Sequence, residues 1–181
     1  MFDPKLDGVD HINIYSKGNT VLGRLLSNFT RVPFTFTELY KELGSFESIE
    51  GLWYWLRLYN HQLPEDHEHN RRVDELRTLW GTQAKQKGRE LRNQLIAYQP
   101  EEQPESAFQS VISAAITEKV IVNEQIVELL NESSLPFVHY YVYGDNVKVV
   151  ECKWLMDEWE RARRIVKKMI ATENKNASNG Q

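Results

Sequence analysis

Gly44-Ser45-Phe46-Glu47-Ser48-Ile49-Glu50-Gly51-Leu52-Trp53-Tyr54-Trp55-Leu56-Arg57-Leu58-Tyr59-Asn60 is the stretch that decides how this chain is read. Five of its seventeen residues are aromatic: Phe46, Trp53, Tyr54, Trp55 and Tyr59. Ile49, Leu52, Trp53, Leu56 and Tyr59 recur near the spacing of one helical face. Ser48 stands where its hydroxyl can accept an orphan amide hydrogen bond at the helix start. Glu50 then falls in the first turn, where the helix dipole favours a negative charge. Two readings of Glu50 follow. In one it is a solvated, dipole-stabilising carboxylate. In the other it points into a pocket walled by tryptophans.

Outward from this helix, His11-Ile12-Asn13-Ile14-Tyr15-Ser16 alternates as a half-buried strand does. Lys17-Gly18-Asn19-Thr20 reads as a turn, and the segment from Gly23 to Phe29 as an irregular loop, because Ser27 and Asn28 favour local backbone hydrogen bonds. Val32–Phe36 reads as a short strand with Pro33 at its beginning or edge. Downstream, Val73, Leu76 and Leu79 or Trp80 mark a helix face ending at Gly81. Thr82 is placed to cap the next helix, with Ala84, Gly88, Leu91, Leu95 and Tyr98 on one side. Residues 106–120 form a further helical pattern, and Asn123 caps another through Ile126, Leu129 and Leu130. Phe137–Tyr143, a turn at Gly144-Asp145-Asn146 and Val147–Val150 read as a hairpin. Cys152, Leu155, Met156, Trp159, Ile165, Val166 and Met169 give a last helix, from about Glu151 to Thr172, its apolar face. Arg161, Arg163, Arg164, Lys167 and Lys168 read as its solvated side. The pattern predicts one mainly helical α+β domain over residues 1–173 with a small β-sheet, followed by a disordered tail over 174–181.

Composition excludes several classes. The net charge of -4 gives no global reason to bind nucleic acid. The single cysteine, Cys152, excludes an internal disulfide and suits a reducing compartment. No apolar run approaches the roughly 20 residues of a membrane span, and no secretory signal is read, so the expectation is a cytoplasmic protein with no membrane association. There is no Walker loop, GxGxxG, nucleophile elbow or zinc-finger spacing. His67-Glu68-His69 is the one metal-like pattern; lying in a polar stretch without an outer shell, it assigns no metal site. Cys152 beside Lys153 reads as a structural thiol on an apolar face.

One ordered set of motifs remains. Ile12-Asn13-Ile14-Tyr15-Ser16, Leu26-Ser27-Asn28-Phe29, Ser48-Ile49-Glu50 and Ala84-Lys85-Gln86-Lys87-Gly88-Arg89 follow one another, with Ala115 to Lys119 later and a Tyr143-Gly144-Asp145 turn. This set resembles the NADAR family, associated with NAD and ADP-ribose, over about residues 11–165. The resemblance implies a mainly helical α+β fold and an N-glycosidase acting on an ADP-ribose-linked or phosphoribosyl nucleotide, without a cofactor. It implies Glu50 as the catalytic carboxylate, Ser27 and Asn28 on the ribose or base, and Lys85 and Arg89 on phosphate. Trp53 and Tyr143 would stack on a base, with Arg57 and Asp145 also in the substrate site. The expected partner is a nucleotide or ADP-ribose-containing small molecule, ADP-ribosylated nucleic acid or a protein being further candidates.

The chain departs from that pattern at informative places. The His that follows the Glu in the family is Gly51 here, and a later Lys is Arg57, which cannot act as a neutral amine. The acidic residues expected before Trp-Gly are His139, Tyr140 and Tyr141, and the Trp is Tyr143. These changes imply either an altered substrate or a protein that binds a nucleotide or a protein partner without cleaving.

Overall fold

The computed structural model describes residues 2–101, 103–144 and 146–179. The chain is α+β and mainly helical, 58% helix, with small two-stranded sheets. It divides into two compact units: Met1–Ser27 with Val120–Gln181, and Asn28–Lys119.

In the first unit, β1 (Ile12–Asn13) pairs in parallel with β4 (Phe137–Val138). The pairing is locked by a reciprocal side-chain bond: Asn13 Nδ2 donates to the Tyr140 carbonyl and Tyr140 N–H donates to Asn13 Oδ1, both at 3.1 Å. The Asp7 carboxylate accepts from the Asn13 and Asn19 amides at 2.9 and 2.7 Å, fixing the turn. Where an irregular loop is expected, α1 (Val21–Leu26) forms. Thr20 caps it, accepting from Gly23 N–H at 3.0 Å, and Leu22 and Leu26 are buried; the local bonding of Ser27 and Asn28 ends this helix rather than preventing it. A side chain at Gly23 would stand 2.3 Å from the Asn13 carbonyl, so only glycine lets the helix approach the strand.

Asn123 caps α6 (Glu124–Glu132) as its position predicts, accepting from Ile126 N–H at 3.0 Å. The expected hairpin is β5 (Tyr140–Tyr143) against β6 (Asn146–Val149). The last helix, α7 (Lys153–Asn179), buries Leu155, Trp159 and Val166 and leaves Ile165 and Met169 exposed. It continues past Thr172 to Asn179, through residues whose sequence offers nothing to pack. One member of its basic run is not solvated. Arg163 is buried, lies 4.3 Å over the Phe137 ring, donates to the Leu135 carbonyl at 2.7 Å and pairs with Glu160. The sequence shows the charge but not the acceptors that pay its desolvation.

The second unit carries β2 (Phe34–Thr35) antiparallel to β3 (Ser45–Phe46), then α2 (Ile49–Leu58), α3 (Glu68–Asp74), a 3-10 turn at Glu75–Thr78, α4 (Gly81–Gln94) and the body of α5 (Glu105–Ile121). Trp55 anchors it. Its ring meets Phe46 edge-on at 5.7 Å and stacks on Tyr59 at 4.3 Å, and its Nε1 donates to Asp74 at 2.8 Å. Arg77 lies over Trp55 at 4.5 Å and donates to the same carboxylate, so the buried polar groups here are matched. α4 begins one residue before Thr82, from Gly81 at φ 55°, and the Tyr98 expected on its buried side is exposed. Among the described residues no helix is long and apolar enough to cross a membrane.

The α2–α4 seam depends on Gly88. A Cβ there would lie 2.2 Å from Tyr54 Cγ, so the Tyr54 ring occupies the missing side chain's place. Alanine improves helix propensity by about 1 kcal/mol, but overpacking against a ring held on the facing helix costs about 1–3 kcal/mol. Gly88→Ala is therefore expected to lower the urea midpoint; an unchanged or raised midpoint would show that the seam is not packed this way.

Candidate functional site

The site begins with how α2 starts. Ser48 Oγ accepts from Gly51 N–H at 3.0 Å and donates to the Leu79 carbonyl at 2.9 Å. The hydroxyl thus caps the helix and joins it to the segment leading into α4. Glu50 N–H donates to the Asn28 carbonyl at 3.0 Å. Between these bonds, the first turn of α2 is pulled inward, and Glu50 is 9% exposed rather than solvated.

Burial raises the Glu50 carboxyl from 4.5 to about 7, against the opposing pull of Lys85 and then Arg89. These two, four residues apart on α4, are the cations that act on the carboxyl, and neither forms an ion pair among the described residues. Lys85 Nζ stands 5.3 Å over the Phe29 ring. Asn28 adds an acceptor: its Oδ1 is buried and meets no donor among the described residues. Glu50, Asn28, Lys85 and Arg89 therefore form one constellation: a carboxyl poised near neutrality, an unused acceptor and two uncommitted cations. Such a set can bind an anion, and it can exchange a proton or hold a developing positive charge.

Trp53 and Arg57 gather around Phe108. Trp53 is half-buried and meets Phe108 edge-on at 4.7 Å. Arg57 lies 4.1 Å over Phe108 and reaches Glu105 at 3.4 Å, toward the opposite end of α2 from Glu50. Ser27 and Tyr143 belong to the first unit: Ser27 is the buried C-cap of α1, and Tyr143 is exposed on β5. Asp145 lies outside the described residues. Gly51 has a structural reason. A Cβ would stand 2.4 Å from the Leu76 carbonyl and 3.0 Å from that of Leu79, so no histidine fits at this position.

His67 and His69 are structural in kind. His67 caps α3, accepting from His69 N–H at 3.1 Å, and His69 Nε2 donates to the Leu58 carbonyl at 2.7 Å. Among the described residues no group of three His, Cys, Asp or Glu is placed to hold a metal ion. Cys152 is half-buried. Lys119 is a group that residue roles alone did not single out. It is fully buried in α5, and burial lowers its ammonium from 10.5 to about 7. Its signal is positional: Lys119 follows Ile112, Ala115 and Ile116 on the helix's buried stripe.

The Glu50 shift has a measurable consequence. A carboxyl raised on folding binds its proton more tightly in the native chain, so its contribution is fully present below about pH 4.5 and is lost as pH rises through about 7. Glu50→Gln removes that cost. The variant is expected to match the wild type near pH 4 and to exceed it by about 3 kcal/mol near pH 8. Denaturant titrations at the two pH values check this, and a pH-independent difference would place Glu50 in solvent.

No family model matches the chain, and no curated protein or solved structure matches it either.

Proposed function

We propose that this protein is an N-glycosidase-like protein acting on an ADP-ribose-linked or phosphoribosyl nucleotide. The observation that carries the reading is the buried Glu50 carboxyl, raised to about 7, with Lys85 and Arg89 beside it. Cleavage of an N-glycosidic bond develops positive charge on the ribose, which an adjacent carboxylate stabilises, while the leaving base takes up a proton. A group near neutrality is suited to either task at physiological pH. Lys85 and Arg89 would hold phosphate in the ground state, and Asn28 Oδ1 would accept from a ribose hydroxyl or a base N–H.

A second reading rests on Gly51. The Leu76 carbonyl excludes any side chain there, so the imidazole of the NADAR pattern has no counterpart at this position, and Arg57 replaces its lysine. A protein that binds the nucleotide without cleaving it keeps the cations and Asn28 and needs neither missing group.

The two readings separate on Glu50→Gln. Wild-type protein is incubated with ADP-ribosylated guanine oligonucleotide and with a phosphoribosyl nucleotide, and mass spectrometry distinguishes bound from cleaved material. For an enzyme, Glu50→Gln is expected to lower turnover by on the order of a hundredfold while ligand still binds. Arg89→Ala is expected to weaken binding instead, with the larger loss at low salt. Cleavage at an undiminished rate in Glu50→Gln removes the catalytic assignment. Binding without cleavage by the wild type selects the second reading.

A further inference from the structure

At the far end of the α2–α4 seam from Glu50 lies a cleft of about 510 Å³. Leu56, Arg57, Arg92, Gln99, Glu101 and Gln103 are among its walls, and Glu50 is not. Glu50 and Arg57 are seven residues apart on α2, roughly 10 Å along the helix axis. The cleft is thus separate from the constellation described above.

Two guanidinium groups from different helices line it, and aromatic rings hold both. Arg57 Cζ is 4.1 Å from the Phe108 ring centroid and 5.7 Å from that of Trp53. Arg92 Cζ is 5.9 Å from the Tyr54 ring. A guanidinium seated on a ring keeps its in-plane N–H donors free for a ligand and loses little rotamer freedom on binding. Among the described residues those donors are largely unused. Arg57 makes one long contact, 3.4 Å, to the exposed Glu105 carboxylate, an ion pair of small worth that a ligand anion can displace. Arg92 forms no ion pair among the described residues.

The rest of the polar lining is of another kind. Gln99, Glu101 and Gln103 present side chains that bond hydroxyls, and Gln99 Nε2 donates to the Arg92 carbonyl at 2.6 Å, tying this lining to the end of α4. A basic residue in the last turn of a helix also offsets its dipole, which accounts for a single arginine on each helix. It does not account for two ring-held guanidiniums lining one cleft together with hydroxyl-bonding side chains.

We infer that this cleft is a second binding site, taking a phosphate-bearing, hydroxylated ligand such as a sugar phosphate. Arg57 and Arg92 grip the phosphate, and Glu101 and the glutamines accept from or donate to its hydroxyls. The site stands whether or not Glu50 cleaves a glycosidic bond.

Ribose 5-phosphate is the probe, titrated calorimetrically into the full chain at low salt, with a short oligothymidylate as a second arm to present the same phosphate chemistry from a nucleic acid backbone. Saturable ribose 5-phosphate binding is expected, weakened at least tenfold in Arg92→Ala and partly restored in Arg92→Lys. Arg92 is exposed, so its replacement leaves the fold intact, and unchanged thermal melting verifies this. Tighter, Arg92-dependent binding of the oligonucleotide, whose backbone offers no ring hydroxyls, would overturn the sugar-phosphate assignment. No saturation at millimolar probe, or equal affinity in Arg92→Ala, would overturn the site itself; binding that survives Arg92→Ala and is weakened in Arg89→Ala belongs to the Glu50 constellation.

Discussion

The second unit depends on how closely two carbonyls approach the first turn of α2. The Leu76 and Leu79 oxygens occupy the space that a side chain at position 51 would fill, and the Ser48 hydroxyl closes the contact. A helix start normally faces solvent, because its free amides need partners. Here Ser48 and the Asn28 carbonyl supply partners from the protein, so the turn can be buried and Glu50 with it. The same approach sets where α4 begins, two residues after Leu79, and so where Lys85 and Arg89 fall relative to the carboxyl. One absent side chain therefore fixes both the environment of the acid and the position of the bases.

Burying ionisable groups is costly, and this chain does so at least twice. Glu50 and Lys119 both have their charged forms disfavoured by burial, and both are brought to about 7 from opposite directions. Apolar residues would serve packing better at either position. Groups with shifted proton affinity concentrate at functional sites, because acid–base chemistry needs a pKa near the working pH. Glu50 therefore stands apart from Arg163, whose charge is matched by Glu160 and the Leu135 carbonyl and serves the fold.

Much of the architecture was legible from residues that act locally. Ser48 and Asn123 cap helices where their side chains say they should, and the Tyr140–Val149 hairpin follows from alternation around a turn. The start of α1 was also written locally, in Thr20 followed by Leu22 and Leu26, but the polar pair Ser27-Asn28 reads more loudly than a six-residue helix. What stayed hidden depends on partners distant in sequence. Tyr54 on Gly88, the Leu135 carbonyl beneath Arg163 and the carbonyls facing Gly51 are tertiary approaches with no periodic signature. For the site, only the family resemblance names Glu50, Lys85 and Arg89 together, since on spacing alone the two cations read as a solvated helix face; that they act on the carboxyl follows from how α4 meets α2. That Trp53 and Arg57 belong to a different group, around Phe108, follows only from where α5 lies.

The Asn13–Tyr140 clasp joins residues 127 apart in sequence, and the segment 28–119 between them forms a compact unit of its own. The order of synthesis then differs from the order of assembly. Residues 12–13 must wait for residues 137–140, whereas the enclosed unit is complete once Lys119 has emerged. Long-range pairing is slow to nucleate because closing the intervening loop costs entropy before any contact repays it. A folded insert shortens that search by removing the freedom of the residues within it. The nascent chain thus passes through a stage in which Glu50, Lys85 and Arg89 can be set in place while β1 still lacks its partner strand.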